Sequence, residues 1–365
     1  MTAQKQPDRL SPRQFAALAF VSALSPLVRR FPRTLAALAG RGAPVAVALS
    51  ALFMLPLLLG ARLLLRRRPT GIGAAEALTD ILGRPLGRGV TGLYGLWFLC
   101  YAGFLLRYGA ERFCATVYPG ADGAVFVVGT ALLCALAAAH RTVPLGRAAM
   151  LLRPVMLGLI LAVAALTLKD LDRTLLLPMK APAPDGLWAA ATETANLLSV
   201  IFFLGFLGDR LTEPLRARTA LPWLAALLGV VALMALGCLG MFGPALTARL
   251  RYPYFMLVRD MTVLGALERA EPLVLALWVF PDFLFLSLLL QLAARCLRFA
   301  LGLRGKGPWP AVACAGAAVA AALALPGALD AMEYLSETLV PRLCALFAFA
   351  PLPVLLIVGR ARGKL

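Results

Sequence analysis

Ionisable and amide side chains inside long apolar runs are the groups of this chain best suited to chemistry. Asp282 interrupts one such run, and Glu193 and Asn196 lie one helical turn apart in another. A carboxylate in hydrocarbon often belongs to an ion or proton pathway, and a buried amide ties helices together or contacts a ligand. We therefore predict proton or ion coupling for Glu193 and Asp282. The alternatives are an arginine partner for Asp282 and a solvated, interfacial position for Glu193.

The first apolar run holds two adjacent cations between two prolines. Ser25-Pro26 precedes Arg29 and Arg30, and Phe31-Pro32 follows them. Each proline removes a backbone donor, which predicts a broken helix whose freed carbonyls face protein or a cavity. The arginines would then stand in an aqueous vestibule and receive an anion or pair with an acid. Alternatively, the helix ends early and both side chains extend outward to water.

Two further features complete a predicted ligand cleft. The sixth apolar run carries polar residues ahead of Gly205 and Gly208, and the third carries aromatic residues at spacings of three and four. Both patterns are also typical of ordinary helix packing. The predicted ligand-binding residues are Ser25, Pro26, Arg29, Arg30, Tyr94, Trp97, Tyr101, Asn196, Ser199 and Phe202.

The sequence contains no recognisable catalytic or metal-binding motif. His140 is the only histidine, and the seven cysteines are scattered without metal-ligand spacing. The sequence contains neither a nucleophile elbow nor a phosphate-binding glycine loop. We expect no enzyme activity, no cofactor and no metal.

Composition places the chain in a membrane. Of its 365 residues, 61% are hydrophobic and 15% are charged, with a mean hydropathy of +0.84. A soluble domain has about 25% charged residues, so a soluble enzyme is excluded. The net charge of +18 does not indicate nucleic acid, because the basic residues fall between apolar runs. The basic residues indicate the topology, because more of them fall on one side of the membrane than on the other. This excess predicts that both termini lie in the cytoplasm.

About ten apolar runs are long enough to cross a bilayer as helices, which predicts an all-α integral membrane protein with one transmembrane domain over residues 1–365. The two halves, 11–168 and 188–358, share an internal layout, and each holds an odd number of runs. This predicts a five-plus-five inverted repeat of the leucine-transporter type with broken first and sixth helices and a midplane ligand site. The runs are 13–38, 43–65, 89–108, 121–140, 145–168, 188–208, 220–243, 272–297, 308–325 and 339–358.

Short motifs along nearly the whole chain resemble those of one family, the spore germination permeases. The most specific is an ordered series of a Y-P pair, an arginine, a glycine and E-R-x-E ahead of a tryptophan. The matching stretches are Ser11-Pro-Arg-Gln14, Phe31-Pro32-Arg33, Ile81-Leu-Gly83-Arg-Pro-Leu-Gly87-Arg88, Arg147, the link from Asp170 to Pro178, and Tyr252-Pro253 with Arg259, Gly265, Glu268-Arg269-Ala-Glu271 and Trp278.

The resemblance implies a role and partners. Proteins of this family are the membrane B subunits of nutrient germinant receptors, within the amino acid–polyamine–organocation superfamily. The resemblance therefore implies recognition of a small nutrient such as an amino acid, together with an A subunit and a lipoprotein C subunit, in a spore inner membrane or cytoplasmic membrane. Where the family has a glycine-rich first-helix break, this chain has Ser25-Pro26-Leu27 followed by Arg29-Arg30, so the ligand is expected to differ accordingly.

Two other functions stay open at this stage. One is a proton-coupled amino acid permease with Asp282 or Glu193 as the proton carrier. The other is a scaffold whose cleft binds nothing.

Overall fold

The computed structural model describes residues 8–66, 72–118, 120–180, 182–213, 217–259, 271–303 and 307–364, without the side chains of 29–30, 64–66, 116, 217–219 and 271–278. Helices dominate this part of the chain, and its only β-pairing is a single parallel bridge between Leu10 and Leu211. The α-helices are α1 (Pro12–Ala39), α2 (Ala43–Leu49), α3 (Ala51–Arg66), α4 (Ala74–Leu82), α5 (Arg84–Thr116), α6 (Gly123–Ala139), α7 (Thr142–Thr167), α8 (Arg173–Leu176), α9 (Pro184–Leu198), α10 (Ala217–Arg249), α11 (Pro253–Arg259), α12 (Glu271–Leu301), α13 (Trp309–Ala324), α14 (Leu329–Glu337), α15 (Leu339–Phe349) and α16 (Pro351–Ala361); Gly40–Gly42 and Ser199–Arg210 are 3₁₀ helices.

Seven helical segments of the described chain are long and apolar enough to cross a membrane, and two shorter apolar helices, Gly123–Ala139 and Trp309–Ala324, accompany them. This confirms an all-α, multi-pass membrane protein. All ten predicted runs fall on helical segments, whereas the count of ten spans and the inverted repeat stay predictions. The seven segments are Phe31–Leu63, Arg84–Ala115, Thr142–Thr167, Pro184–Arg210, Ala220–Arg249, Val279–Leu301 and Leu329–Ala361.

The predicted break in the first helix is wrong. α1 continues through Pro26 and Pro32 without interruption. In hydrocarbon a break would strand several carbonyl and N–H groups, whereas a continuing helix loses about one hydrogen bond per proline. Packing against α7, α9, α10 and α12 encloses α1 on several sides and stabilises the continuous form.

The sixth span does change its helix type. α9 ends at Leu198, and a 3₁₀ helix of 12 residues follows from Ser199 to Arg210. Most 3₁₀ runs stop after about 3–4 residues, and longer ones often mark hinges or strain. A Cβ added at Gly208 would lie 3.1 Å from the carbonyl oxygen of Ile72, so this glycine permits close approach of the preceding loop.

Two glycines explain the junction between α4 and α5. Gly83 adopts φ 89°, a conformation that side chains rarely tolerate, and the chain turns there between the two helices. Four residues later, a Cβ at Gly87 would lie 2.4 Å from the Cα of Thr79. The glycine spacing of this connection thus serves a turn and a close helix contact within one chain.

A capping box begins α1. The Ser11 hydroxyl accepts a hydrogen bond from the Gln14 backbone N–H, and the Gln14 side chain accepts one from the Ser11 N–H. The S-x-x-Q motif of the sequence is therefore a helix N-terminus. It fixes where the first membrane helix starts.

Candidate functional site

The carboxylate of Asp282 joins three helices of the bundle. Ser25 of α1 donates its hydroxyl to Oδ1 at 2.5 Å, and Nη2 of Arg112 in α5 donates to Oδ2 at 2.6 Å. Asp282 lies directly after Pro281 within α12. The structure therefore brings two predicted site residues, Ser25 and Asp282, into direct contact.

Arg112 is the residue of this site that the sequence did not reveal. The third apolar run ends at 108 in the sequence, and Glu111 and Arg112 lie beyond its end. In the structure α5 continues to Thr116, and Arg112 is turned into the bundle. The sequence did suggest that Asp282 pairs with an arginine. Nothing in the residues around Asp282 or Arg112 indicates which arginine that is.

The ion pair of Arg112 and Asp282 is largely shielded from water. The Arg112 side chain is 5% exposed and that of Asp282 is 23% exposed. The guanidinium also lies over the ring of Tyr108, with 5.6 Å from its central carbon to the ring centroid. Removing either charge would leave the other poorly compensated in a medium of low dielectric constant.

A second polar group adjoins Arg112. The Tyr252 hydroxyl donates to Oε1 of Glu333 at 2.9 Å, and Arg251 pairs with Glu333 at 3.4 Å and also with Asp330. Burial, and after it the neighbouring Tyr108 and Glu333, raise the pKa of Tyr252, although Arg112 opposes the shift. At neutral pH the phenol therefore remains a donor to Glu333.

The aromatic stripe of α5 packs inside the bundle. Tyr94, Trp97 and Tyr101 are 2%, 8% and 2% exposed. Trp97 stacks between Tyr101 and Phe347, with centroid distances of 5.5 and 5.3 Å. The Tyr94 hydroxyl donates to the Phe347 carbonyl at 2.5 Å. These contacts fit the packing interpretation of the stripe.

The predicted residues of the sixth span lie at the change from α-helix to 3₁₀ helix. The Ser199 hydroxyl donates to the Asn196 carbonyl at 2.6 Å. The Asn196 side chain lies close to the carboxylate of Glu193, which also interacts electrostatically with Arg342. Phe202, half-buried, packs against the hydrophobic core. The structure thus places the Glu193 carboxylate and the Asn196 amide side by side in the sixth span.

Two predicted positions remain untested by these contacts. The side chains of Arg29 and Arg30 lie outside the described residues, although their backbone belongs to α1. Pro26 is inside the same helix, one residue after Ser25. An anion site at the two arginines stays a prediction.

Comparison with known proteins adds one finding. A family model described as spore germination protein, the spore permease family, matches residues 9–315. The matched region contains Ser25, Arg112, Asp282, Tyr252 and the 3₁₀ segment of the sixth span. No curated protein matches the chain.

Proposed function

Because the chain belongs to the spore permease family of spore germination proteins, we propose that it is the membrane subunit of a nutrient germinant receptor. In this role it recognises a small nutrient, an amino acid, and passes the signal to an A subunit and a lipoprotein C subunit. Its location is the spore inner membrane or the cytoplasmic membrane, with both termini in the cytoplasm. The family match and the membrane-spanning helices support this proposal.

The observation that carries the proposal is the buried pair of Arg112 and Asp282, joined to Ser25. A free amino acid presents one carboxylate and one ammonium group. Arg112 matches the carboxylate with a planar, two-pronged donor, and Asp282 matches the ammonium. When an amino acid binds, the ion pair between Arg112 and Asp282 is replaced by one ion pair from each residue to the ligand. The charges in the site therefore stay balanced.

Ligand exchange at this pair supplies a signal. Asp282 holds α12 to α1 through Ser25 and to α5 through Arg112. A ligand that takes both charges removes these links and favours a bundle in which the three helices are less tightly joined. The ligand shifts this equilibrium by its difference in affinity for the two arrangements.

The ion pair argues against Asp282 as a proton carrier. A proton placed on Asp282 would leave Arg112 as a buried cation without its carboxylate, which is strongly unfavourable. Of the two predicted coupling residues, Glu193 is then the better candidate if the protein is a permease.

The test is ligand binding and uptake by the purified full-length chain. In detergent, we expect at least one of the standard amino acids to raise the thermal midpoint of the wild-type protein. Asp282→Asn and Arg112→Gln should lose this shift. Glu111→Gln should keep it, because Glu111 pairs with Arg107 within α5, at 3.1 Å. The midpoint of each variant without ligand reports its folding.

Two results would overturn the proposal. Concentrative uptake by proteoliposomes, driven by a pH gradient and lost in Glu193→Gln or Asp282→Asn, would identify a permease. No amino acid shift in the wild-type protein, together with normal germination of spores carrying Asn196→Ala or Asp282→Asn, would identify a scaffold.

A further inference from the structure

A cavity of about 770 Å³ lies at the C-terminal end of α12, whereas Asp282 lies near the middle of this helix. Asp282 and Arg295 are 13 residues apart in this helix, which corresponds to about 20 Å along the helix axis. The cavity is therefore distinct from the Asp282 site. Its lining consists of Thr79, Arg84, Arg88, Arg210, Arg295, Arg298, Phe299, Gly302 and Leu303.

Five arginines from three segments surround this space. Arg84 and Arg88 belong to the first turns of α5, Arg210 ends the 3₁₀ helix, and Arg295 and Arg298 belong to the last turns of α12. In the described part of the chain no side chain caps the N-terminus of α5, whose positive dipole end lies beside Arg84. The C-terminal end of α12, beside Arg298, carries the opposite partial charge, so the positive potential of the cavity comes from the arginine side chains.

Acids neutralise only part of this charge. Asp209 accepts from Arg295 at 2.6 Å and lies 3.2 Å from Arg210, which also pairs with Asp8 at 3.1 Å.

Among the described residues, no acid pairs with the other three arginines of the cavity. Within the described residues, no ion pair involves Arg84, Arg88 or Arg298, and Arg88 donates only to the Phe299 carbonyl at 3.3 Å. In the same part of the chain, Nη1 of Arg295 is buried without a hydrogen-bond partner. The cavity therefore has several donors and an excess of positive charge ready for an anion.

Apolar surface continues from the rim of the cavity. Phe299 and Leu303 line it, and the nearby Leu86 and Leu301 are 64% and 69% exposed. The cavity also lies at the ends of two membrane-spanning helices, where lipid headgroups meet the hydrocarbon. An anion with attached acyl chains uses both halves of this surface, whereas free phosphate uses only the cationic half.

We propose that this arginine cavity binds the phosphate headgroup of an anionic phospholipid. The guanidinium groups hold the phosphate oxygens through paired hydrogen bonds, and the acyl chains lie along the exposed leucines of α5 and α12. With the proposed topology, the lipid belongs to the cytoplasmic leaflet. Binding does not depend on nutrient recognition at Asp282.

The experiment measures phosphatidylglycerol binding to the purified full-length chain. Binding in mixed micelles is followed by native mass spectrometry and by the thermal midpoint, with phosphatidylcholine and inorganic phosphate as comparison arms. We expect phosphatidylglycerol to bind at least about tenfold more tightly than phosphatidylcholine, and this preference to weaken as salt is raised.

Matched triple variants localise the site. Arg84→Gln/Arg88→Gln/Arg298→Gln should weaken phosphatidylglycerol binding by about tenfold or more, since each arginine contributes. The control changes three exposed arginines outside the cavity lining to glutamine and should alter binding by less than about twofold. These control positions are Arg13, Arg62 and Arg360.

A second triple variant, Arg84→Lys/Arg88→Lys/Arg298→Lys, keeps the three positive charges. It tests the site even if the glutamine variant folds poorly. It should retain most of the phosphatidylglycerol affinity. A loss as large as that of the glutamine triple would overturn recognition by charge. Equal losses in the cavity and control triples, or equal affinity for the two lipids, would overturn the cavity site. Equal protection by inorganic phosphate and by lipid would overturn the lipid assignment.

Discussion

The guanidinium of Arg112 and the carboxylate of Asp282, 170 residues apart in the chain, meet at 2.6 Å between α5 and α12. These two helices pack together extensively, and the ion pair sits within their shared interface. Because Arg112 is almost fully buried, water cannot replace a lost partner. The pair thus fixes how α5 and α12 meet, whatever ligand the protein recognises.

Removing one member of this pair should destabilise the protein more than removing both. We expect Arg112→Met to lower the free energy of unfolding by about 3 kcal/mol, because the half-buried carboxylate of Asp282 is left without its cation. The double variant Arg112→Met/Asp282→Leu should recover most of that loss. Titration from mild detergent into dodecyl sulfate measures each value.

The control for this cycle is Glu111→Gln, which breaks the pair with Arg107 inside α5. Both members of that pair belong to α5, so its loss should be clearly smaller than that of Arg112→Met. A double variant whose destabilisation equals the sum of its two single variants would show that Arg112 and Asp282 are not energetically coupled.

Ser25 and Ser22 offer a matched comparison on one helix. Both are buried, at 2% and 0% exposure, but Ser25 donates to Asp282 whereas the Ser22 hydroxyl has no hydrogen-bond partner among the described residues. Ser25→Ala should lower the free energy of unfolding by about 2 kcal/mol, the usual worth of a hydrogen bond to a charged group. Ser22→Ala should be neutral or stabilising. Equal effects in the same detergent titration would rule out a structural role for the Ser25 hydrogen bond.

Local signals in the sequence predicted much of the fold. The apolar runs placed helical segments correctly, because a bilayer demands about 20 apolar residues per helix. The opening S-x-x-Q is a capping box at Ser11, and the motifs pointed to the family that the comparison confirms. Each of these signals depends on neighbours within a few residues.

Features that depend on distant residues were not predictable in the same way. Nothing near Arg112 indicates that its partner is Asp282, since the contact arises only when α5 and α12 pack. The predicted break at Ser25-Pro26 failed for the same reason, because neighbouring helices hold α1 together despite its prolines. The sixth span did depart from α-helix, as the sequence predicted. Its 3₁₀ helix begins at Ser199 and contains no proline.

Tyr252 and Tyr254 form a second matched comparison. Tyr252 donates to the buried Glu333 at 2.9 Å, whereas the Tyr254 hydroxyl is buried without a hydrogen-bond partner in the described part of the chain. Tyr252→Phe should therefore destabilise the protein by about 2 kcal/mol, because the Glu333 carboxylate loses a donor.

Tyr254→Phe serves as the control and should change the free energy of unfolding by less than about 0.5 kcal/mol. The same detergent titration measures both substitutions. A loss for Tyr254→Phe as large as that for Tyr252→Phe would mean that ring packing dominates at both positions and that the bond to Glu333 contributes little.

Gly87 and Gly89, two residues apart in α5, should respond to alanine with opposite signs. A Cβ at Gly87 would lie 2.4 and 2.6 Å from the Cα and N of Thr79, so α4 must move away from α5. A Cβ at Gly89 meets no atom within 4 Å. Gly87→Ala should cost about 2 kcal/mol through this overpacking. Gly89→Ala should stabilise the helix by about 0.5–1 kcal/mol, since alanine loses less backbone entropy than glycine.

Gly87→Ala should also weaken phosphatidylglycerol binding, because Thr79 and Arg84 line the arginine cavity on either side of the displaced junction. Wild-type stability in Gly87→Ala would show that α4 does not pack on α5 at this distance.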